Sequence, residues 1–460
     1  RAYVEGELDF LFVAPERLGV RGFPELLAKR PPTLIAIDEA HCISDWGHDF
    51  RPDYRMLSGR LAGLPGVPIV ALTATASPRV QADITQQLGL HDRGRTPETF
   101  IFGCRRTNIA VEVVEVPVPE RTKQAMKLLR EPGRLPAIVY APTRKACELQ
   151  AKTLGKKLRV GAYHAGLHAD ERDAVQSAFR DSSLDVVVAT IAFGMGIDKA
   201  NVRTVVHTAL PATLEGYYQE IGRAGRDGQP SRAVLMHSFA DRRTHEFFLD
   251  RNYPEVRRLQ PLYSQLTSEP VTVEALGSRC AVKHEDAERW VSKLWIAGGA
   301  RIDDDGGVTR GDAGWPARYE TQRAHKVAQL EAVQAFVSAS GCRMLGLVAH
   351  FGDCSDSGKE CGLCDVCAPE EPSDGDLDGL VALVAMLKEW NGQATGRLHR
   401  ELADQPAVAA LSRSDVERLL DGLARAGWLR LVEDRFEKDG ESIRFKRAQL
   451  GDDAPSRAEL

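Results

Sequence analysis

The chain has 460 residues, 43% hydrophobic and 27% charged, with a formal net charge of −5. That length leaves room for roughly three to four domains at about 100–200 residues each, and the composition is that of a globular protein, not a disordered or fibrous one. No apolar run approaches the ~20 residues that a bilayer-spanning helix needs, nothing at the start resembles a signal peptide, and nine cysteines are too few and too unevenly spaced for a disulfide scaffold. The expected compartment is therefore reducing, with the cytoplasm as the default and no membrane as a partner. The net charge does not advertise a nucleic-acid binder, but sixty basic side chains leave enough to line one groove.

In chain order, residues 8–14 (LDFLFVA), 34–38 (LIAID), 67–73 (VPIVALT), 137–141 (AIVYA), 184–190 (LDVVVAT) and 203–209 (RTVVHTA) are short, largely apolar runs. Each leads through a polar or glycine-bearing turn into a helix-like segment, which predicts parallel sheets of the α/β class. Ligands of such sheets gather at the carboxyl ends of the strands, where Asp38, Glu39, Thr73, Thr75 and Thr190 are expected. Residues 91–108 read as a connector between a first α/β domain at 1–105 and a second at 106–240. Residues 272–309 then read as helix, turn, helix and a hairpin closed by an Asp-Gly-Gly turn, and 395–446 repeat that plan. The pattern predicts winged-helix-like units at 250–318 and 379–450. Residues 368–378 (APEEPSDGDLD) form an acidic linker, and the last ten residues are polar and expected to fray.

Three groups of residues carry chemistry. Asp38-Glu39-Ala40-His41 ends a strand with adjacent carboxylates, suited to holding a magnesium ion through water and to orienting an attacking water. Behind it come Trp46, His48, Phe50 and Arg51, aromatic and basic side chains among Asp45 and Asp49 that predict an exposed, base-stacking loop. In "YYQEIGRAGRDG" (217–228), Gln219, Arg223 and Arg226 fall at i, i+4 and i+7, so a continuous helix would present them on one face. Arginines there can neutralise charge developing on a γ-phosphate; a surface salt-bridge helix is the plainer alternative. Finally, Cys342 is followed after eighteen residues by Cys361, Cys364 and Cys367. Four thiolates close a tetrahedral zinc site, and an iron–sulfur cluster takes the same number. Cys354 does not match the spacing, and Cys42, Cys104, Cys147 and Cys280 read as buried or incidental thiols.

These motifs together resemble the RecQ family of superfamily 2 DNA helicases. The matching stretches are FLFVAPERL (10–18), DEAHCISDWGHDFRPDY (38–54), ALTATA (71–76), YHAGL (163–167), VATIAFGMGIDKANVR (188–203) and QEIGRAGRDG (219–228), with CRMLGLVAHFGD (342–353) and CGLCDVC (361–367) at the cysteines. The resemblance implies two RecA-like lobes with ATP and Mg²⁺ in the cleft between them, DNA (single-stranded and at duplex junctions) across their top, and a Zn²⁺ module at 319–369. It implies movement from 3′ to 5′ in repair or recombination. Asp38, Glu39, His41, Gly196, Asp198, Gln219, Arg223 and Arg226 would then face the nucleotide. Asp38, Glu39, Arg223 and Arg226 would be catalytic, with Arg226 the arginine finger. Trp46, His48, Phe50, Arg51, Thr143, Arg144, His164 and Thr190 would contact DNA, and Cys342, Cys361, Cys364 and Cys367 would hold zinc.

The sequence departs from the family pattern in three places. The segment 250–318 intervenes before the zinc cysteines, the connector reads CRRTNI where a Phe-x-Arg-Pro-Asn type of stretch is usual, and no C-terminal helical domain of the HRDC kind is evident. No G-x-x-x-x-G-K-[ST] phosphate loop occurs anywhere in the chain. The expectation is a first lobe that is incomplete, begun downstream of that loop, and a chain that hydrolyses ATP poorly or not at all. A non-catalytic DNA-binding remnant built on the zinc and winged-helix-like modules is the alternative.

Overall fold

In the first α/β region, the apolar runs at 34–38 and 67–73 become β1 (Ile35–Ile37) and β2 (Ile69–Ala71), paired in parallel with Ile35 opposite Ile69. The structure is a computed structural model that describes residues 2–44, 46, 51–64, 66–93, 96–101, 103–194, 198–303, 306–369, 374–405, 408, 411, 413–438 and 441–451. Around β1 and β2 a small core gathers Leu27, Ile37, Ile43, Leu57, Leu61, Val80 and Ile84. The run at 8–14, expected as a strand, forms none. No described strand lies beside it to supply a ladder, and Phe10 and Phe12 are 80% and 95% exposed.

The second region is built more fully. Six strands form one sheet in the order β3-β8-β7-β4-β6-β5, parallel throughout. They are β3 (Ile109–Glu115), β4 (Ala137–Tyr140), β5 (Val160–Tyr163), β6 (Val186–Ala189), β7 (Thr204–His207) and β8 (Ser231–His237). The central strands β4, β6 and β7 are buried along their whole length, as sheets covered by helices on both faces require. One face packs on Ala125, Leu129, Cys147 and Leu154. The other packs on Phe179, Tyr217 and Ile221, and that core runs on without a break into Val333, Phe336, Met344, Leu347, Val348 and Phe351 of the cysteine module.

Residues 250–318 fold as helix Val256–Gln265, helix Val273–Arg279, helix His284–Ile296 and the hairpin β9 (Ala300–Ile302) and β10 (Val308–Arg310), with Val271 bridging to Val308. The long helix Trp315–Ser338 seals their core with Trp315 and Tyr319. A second unit repeats the order: helix Asp374–Glu389, β11 (Gln393–Ala394), helix Thr395–Ala403, helix Arg413–Arg425, then β12 (Leu429–Lys438) and β13 (Glu441–Leu450). Its antiparallel sheet runs β11-β13-β12. This unit docks on the edge of the six-stranded sheet, where Lys446 Nζ donates to both carboxylate oxygens of Glu115 at 3.1 and 3.3 Å. Among the described residues no helix is long and apolar enough to cross a membrane.

Candidate nucleotide and metal sites

Asp38 follows the last residue of β1 and is exposed. Glu39 sits in the left-handed region at φ 49° and ψ 41°, which costs a side-chain-bearing residue about 1–2 kcal/mol. That turn sends the two carboxylates to different partners. Asp38 Oδ1 accepts the Glu39 N–H at 2.9 Å, and Glu39 Oε2 lies 3.2 Å from Nδ1 of the buried His41. The same Nδ1 is 3.0 Å from Thr73 Oγ1 at the end of β2, and the Ala40 N–H donates to the Leu72 carbonyl at 2.8 Å. The two strand ends are thus stitched into one polar platform, with an exposed carboxylate at its rim able to hold a cation through water. Thr75 Oγ1 is buried beside it without a hydrogen-bond partner among the described residues.

Trp46 is less open than a base-stacking side chain is expected to be. The Arg79 guanidinium lies 3.5 Å over its ring, and the His325 ring meets its edge at 5.1 Å. Its carbonyl accepts from His325 Nε2 at 3.2 Å and Gln329 Nε2 at 3.3 Å, both on the helix Trp315–Ser338. Burial holds the His325 imidazole below its usual pKa. Trp46 therefore fills the seam between the first lobe and the long helix. Arg51 is half-buried with its N–H on the Cys42 carbonyl at 3.0 Å. His48, Phe50 and Gly196 lie outside the described residues.

In the second lobe the residues expected at ligands ring the carboxyl ends of the strands. Thr143 caps the helix Arg144–Leu154 by accepting the Ala146 N–H, and Arg144 is exposed. His164, buried, places Nε2 3.1 Å from Glu148 Oε1. Thr190 closes β6, its N–H on the Tyr163 carbonyl at 3.1 Å, and Asp198 is exposed. The continuous helix expected through Gln219, Arg223 and Arg226 does not form. The helix Leu214–Ile221 stops before Gly222, and Gly225 turns left-handed at φ 56°. Gln219 stays on the helix while both arginines ride the turn beyond it. Arg223 is buried and donates to the Gly194 carbonyl, next to Tyr140, whose hydroxyl donates to the Phe193 carbonyl at 3.0 Å. Burial pushes the Tyr140 phenol well above its usual range. Arg226 is exposed.

The four expected cysteines converge. The ligand atoms of Cys342, Cys361, Cys364 and Cys367 all lie within 4.8 Å of one another, and Cys361 Sγ is 3.9 Å from Cys367 Sγ. Thiolates about 2.3 Å from a tetrahedral zinc ion stand about 3.8 Å apart, so the sulfurs fit that ion. Backbone N–H groups already point at them: Cys361 N–H at Cys342 Sγ (3.3 Å), Cys364 N–H at Cys361 Sγ (3.3 Å) and Cys367 N–H at Cys364 Sγ (3.4 Å). Such donors stabilise thiolates. Burial pushes the Cys342 thiol up, but the Leu345 and Cys361 N–H groups and the neighbouring thiols outweigh it and bring it down to about 7. Between the cysteines, Asp365 takes a bidentate Arg343 at 3.0 Å and its N–H reaches the Val111 carbonyl at 3.2 Å, fastening the module to β3.

Three family profiles match the chain in succession. The DEAD/DEAH box helicase family covers residues 2–84, the helicase conserved C-terminal domain 120–228, and the RecQ zinc-binding family 302–368. The chain belongs to the RecQ family. The ATP-dependent DNA helicase RecQ of Haemophilus influenzae is 34% identical over 380 residues, 82% of this chain and 49% of that relative. RecQ of Pasteurella multocida is 41% identical over 268 residues, covering 58% of this chain and 42% of the relative. RecQ of Bacillus subtilis is 40% identical over 262 residues, 56% and 43% respectively. The chain spans about half the length of these bacterial relatives. The RecQ match at the cysteines identifies the metal as zinc over an iron–sulfur cluster.

Sequence reading passed over a further set of polar residues in this RecQ chain: Arg105, Arg106 and Asn108 of the connector, and Asp353 and Asp356 of the zinc module. Their partners across the connector lie 116 to 254 positions away, so no local pattern announces them. The only visible signal was the unusual CRRTN string itself.

Proposed function

We propose that this chain carries the motor and accessory modules of an ATP-dependent DNA helicase of RecQ type that moves 3′ to 5′ and serves DNA repair or recombination. The observation that carries the reading is the joint between modules. The zinc module shares one core with the second helicase lobe and also grips Trp46 behind the Asp38-Glu39 platform, so motor and zinc parts form one body. In this reading Asp38 holds the magnesium of a bound nucleotide through water, Glu39 orients the attacking water, and His41 ties Glu39 to Thr73. Arg226 answers the phosphate charge, with Gln219 and Asp198 facing the nucleotide; buried Arg223 holds the Gly194 loop in place. Trp46, His48, Phe50, Arg51, Thr143, Arg144, His164 and Thr190 track the DNA backbone and bases. Zinc acts as a structural cross-link. The two helix–helix–hairpin units are winged-helix-like modules, of which the C-terminal one engages duplex DNA at the junction.

The sequence has no G-x-x-x-x-G-K-[ST] loop, and that loop supplies most of the grip on the β- and γ-phosphates. This 460-residue chain by itself therefore binds DNA and zinc but turns ATP over weakly or not at all. The same absence favours the second reading, a non-catalytic DNA-binding protein. Fluorescence anisotropy with a 3′-tailed duplex, a blunt duplex and an RNA single strand of the same sequence tests the choice of polymer. Tightest binding to the tailed DNA, weakening steeply with salt, is expected. Equal or tighter binding to RNA would contradict a DNA motor.

A further inference from the structure

The segment joining the two lobes is held from both sides. The zinc module takes one side: Asp353 Oδ2 accepts the Cys104 N–H at 3.0 Å, and Asp356 accepts Arg105 Nε and Nη2 at 2.6 and 2.7 Å. Arg105 Nη2 also donates to the Lys359 carbonyl at 2.7 Å. The turn that carries Arg223 and Arg226 takes the other. Arg106 Nη1 donates to the Gly222 carbonyl at 2.9 Å, and Nη2 to those of Ala224 and Gly225 at 2.8 and 3.1 Å. Asn108 Nδ2 donates to the Gly225 and Gln229 carbonyls at 2.8 and 2.9 Å.

The physics of a helix end explains the need. The helix stops at Ile221, and the Gly222, Ala224 and Gly225 carbonyls beyond it lie outside the helical ladder and draw donors from elsewhere in the fold. A guanidinium is a rigid planar fork of donors, able to collect three carbonyls at once, which a lysine ammonium cannot do with the same geometry. An added Cβ on Gly225 would strike the Asn108 side chain and, at 2.8 Å, the Gln229 carbonyl, so turn and connector are in close contact. Burial lowers the Arg106 pKa, and the positive charge of Arg226 acts in the same direction.

The zinc side is equally direct. Residues 353–359 lie between Cys342 and Cys361, the two ends of a loop that a metal closes.

We propose that Arg106 and Asn108 are positioning residues that shape the Arg223–Arg226 turn, and that Asp356, through Arg105, makes the shape of that turn depend on the metal at Cys342, Cys361, Cys364 and Cys367. The catalytic meaning of the turn rests on the helicase reading; the linkage itself does not.

Hydrogen exchange on the full chain, zinc-loaded and after chelation, tests it. Amides of 222–228 should exchange about tenfold faster or more after chelation. Asp356→Asn should speed exchange at 222–228 likewise with its zinc content unchanged, and chelation should then add no more there than it adds at β4 and β6. Arg106→Lys, which keeps the charge and loses the fork, should loosen 222–228 alike, while amides of β4 and β6 stay slow. Pairing Arg105→Asp with Asp356→Arg should restore slow exchange, which a merely local packing defect would not allow. Unchanged exchange at 222–228 in Asp356→Asn and Arg106→Lys, or full zinc dependence surviving in Asp356→Asn, would overturn the proposal. ATP turnover measured alongside bears on the helicase reading alone, and the exchange pattern decides the linkage whichever way turnover falls.

Discussion

The two helicase lobes present the same kind of motif on very different foundations. In the second, six parallel strands are clothed on both faces, and the arginine turn rests on a core shared with the zinc module. In the first, β1 and β2 have three residues each, while Leu34, Val70 and Leu72 remain 51%, 40% and 49% exposed. The second lobe holds Arg223 by burial and sets Arg226 on the turn beside it; the first holds Glu39 by local polar stitching through His41 and Thr73. The lesson is that motif chemistry does not report the stability beneath it.

The comparison can be broken most forcefully at the zinc site. Cys364→Ser removes a buried ligand, and structural zinc contributes on the order of 10 kcal/mol in small modules. Loss of metal and collapse of second-lobe stability are expected in metal analysis and thermal unfolding; retained zinc with an unchanged Tm would separate the module from the lobe. Next comes Arg121→Met. Arg121 is buried, bidentate to Asp241 at 2.6 and 2.8 Å, and donates to the Val116 and Thr208 carbonyls. Leaving Asp241 buried and unpaired should cost about 3–5 kcal/mol, read in denaturant unfolding, and a loss below 1 kcal/mol would argue against a rigid second lobe.

A pH titration sharpens the same contrast. Burial pulls the His237 imidazole, at the end of β8, down to about 4. The unfolded chain then binds a proton near pH 6.5 that the folded one refuses until about pH 4. The contribution is complete above pH 6.5 and drains away as pH falls towards 4, roughly 3 kcal/mol in all. Burial and the nearby Asp421 raise the Glu115 carboxyl, which opposes this, so Glu115→Gln should steepen the loss between pH 6.5 and 5. A second-lobe Tm flat across that range in Glu115→Gln would contradict the burial of a neutral His237. The smallest effect belongs to the first lobe. Phe12→Ala should shift unfolding by under ~0.5 kcal/mol, whereas Phe179→Ala in the second lobe should cost about 3–5 kcal/mol; equal losses would erase the distinction.

Some of this was legible in the sequence. The apolar stretches AIVYA at 137–141 and VVVA at 186–189 are what a doubly covered parallel sheet requires, and the cysteine spacing announced its cluster. β3 and β8 were harder, because Glu112, Glu115 and Arg232 interrupt them with charges that find partners only in the folded sheet. β5 is short and contains Gly161, where Leu184 and Val175 approach within 2.7 and 2.9 Å of an added Cβ. The helix drawn through Arg223 and Arg226 failed because side-chain periodicity ran past two glycines that act as stops. Trp46 read as a stacking face because its neighbours in sequence are charged, but its partners Arg79, His325 and Gln329 are remote.

The most direct test of the account is ATP hydrolysis by this 460-residue chain, with and without single-stranded DNA. The account predicts that DNA binds, zinc is retained and hydrolysis stays at background in both conditions, because Asp38, Glu39 and Arg226 have no phosphate loop to work with. Turnover that rises with DNA and falls in Arg226→Ala would contradict it, and would mean that the chain grips the β- and γ-phosphates by another set of groups.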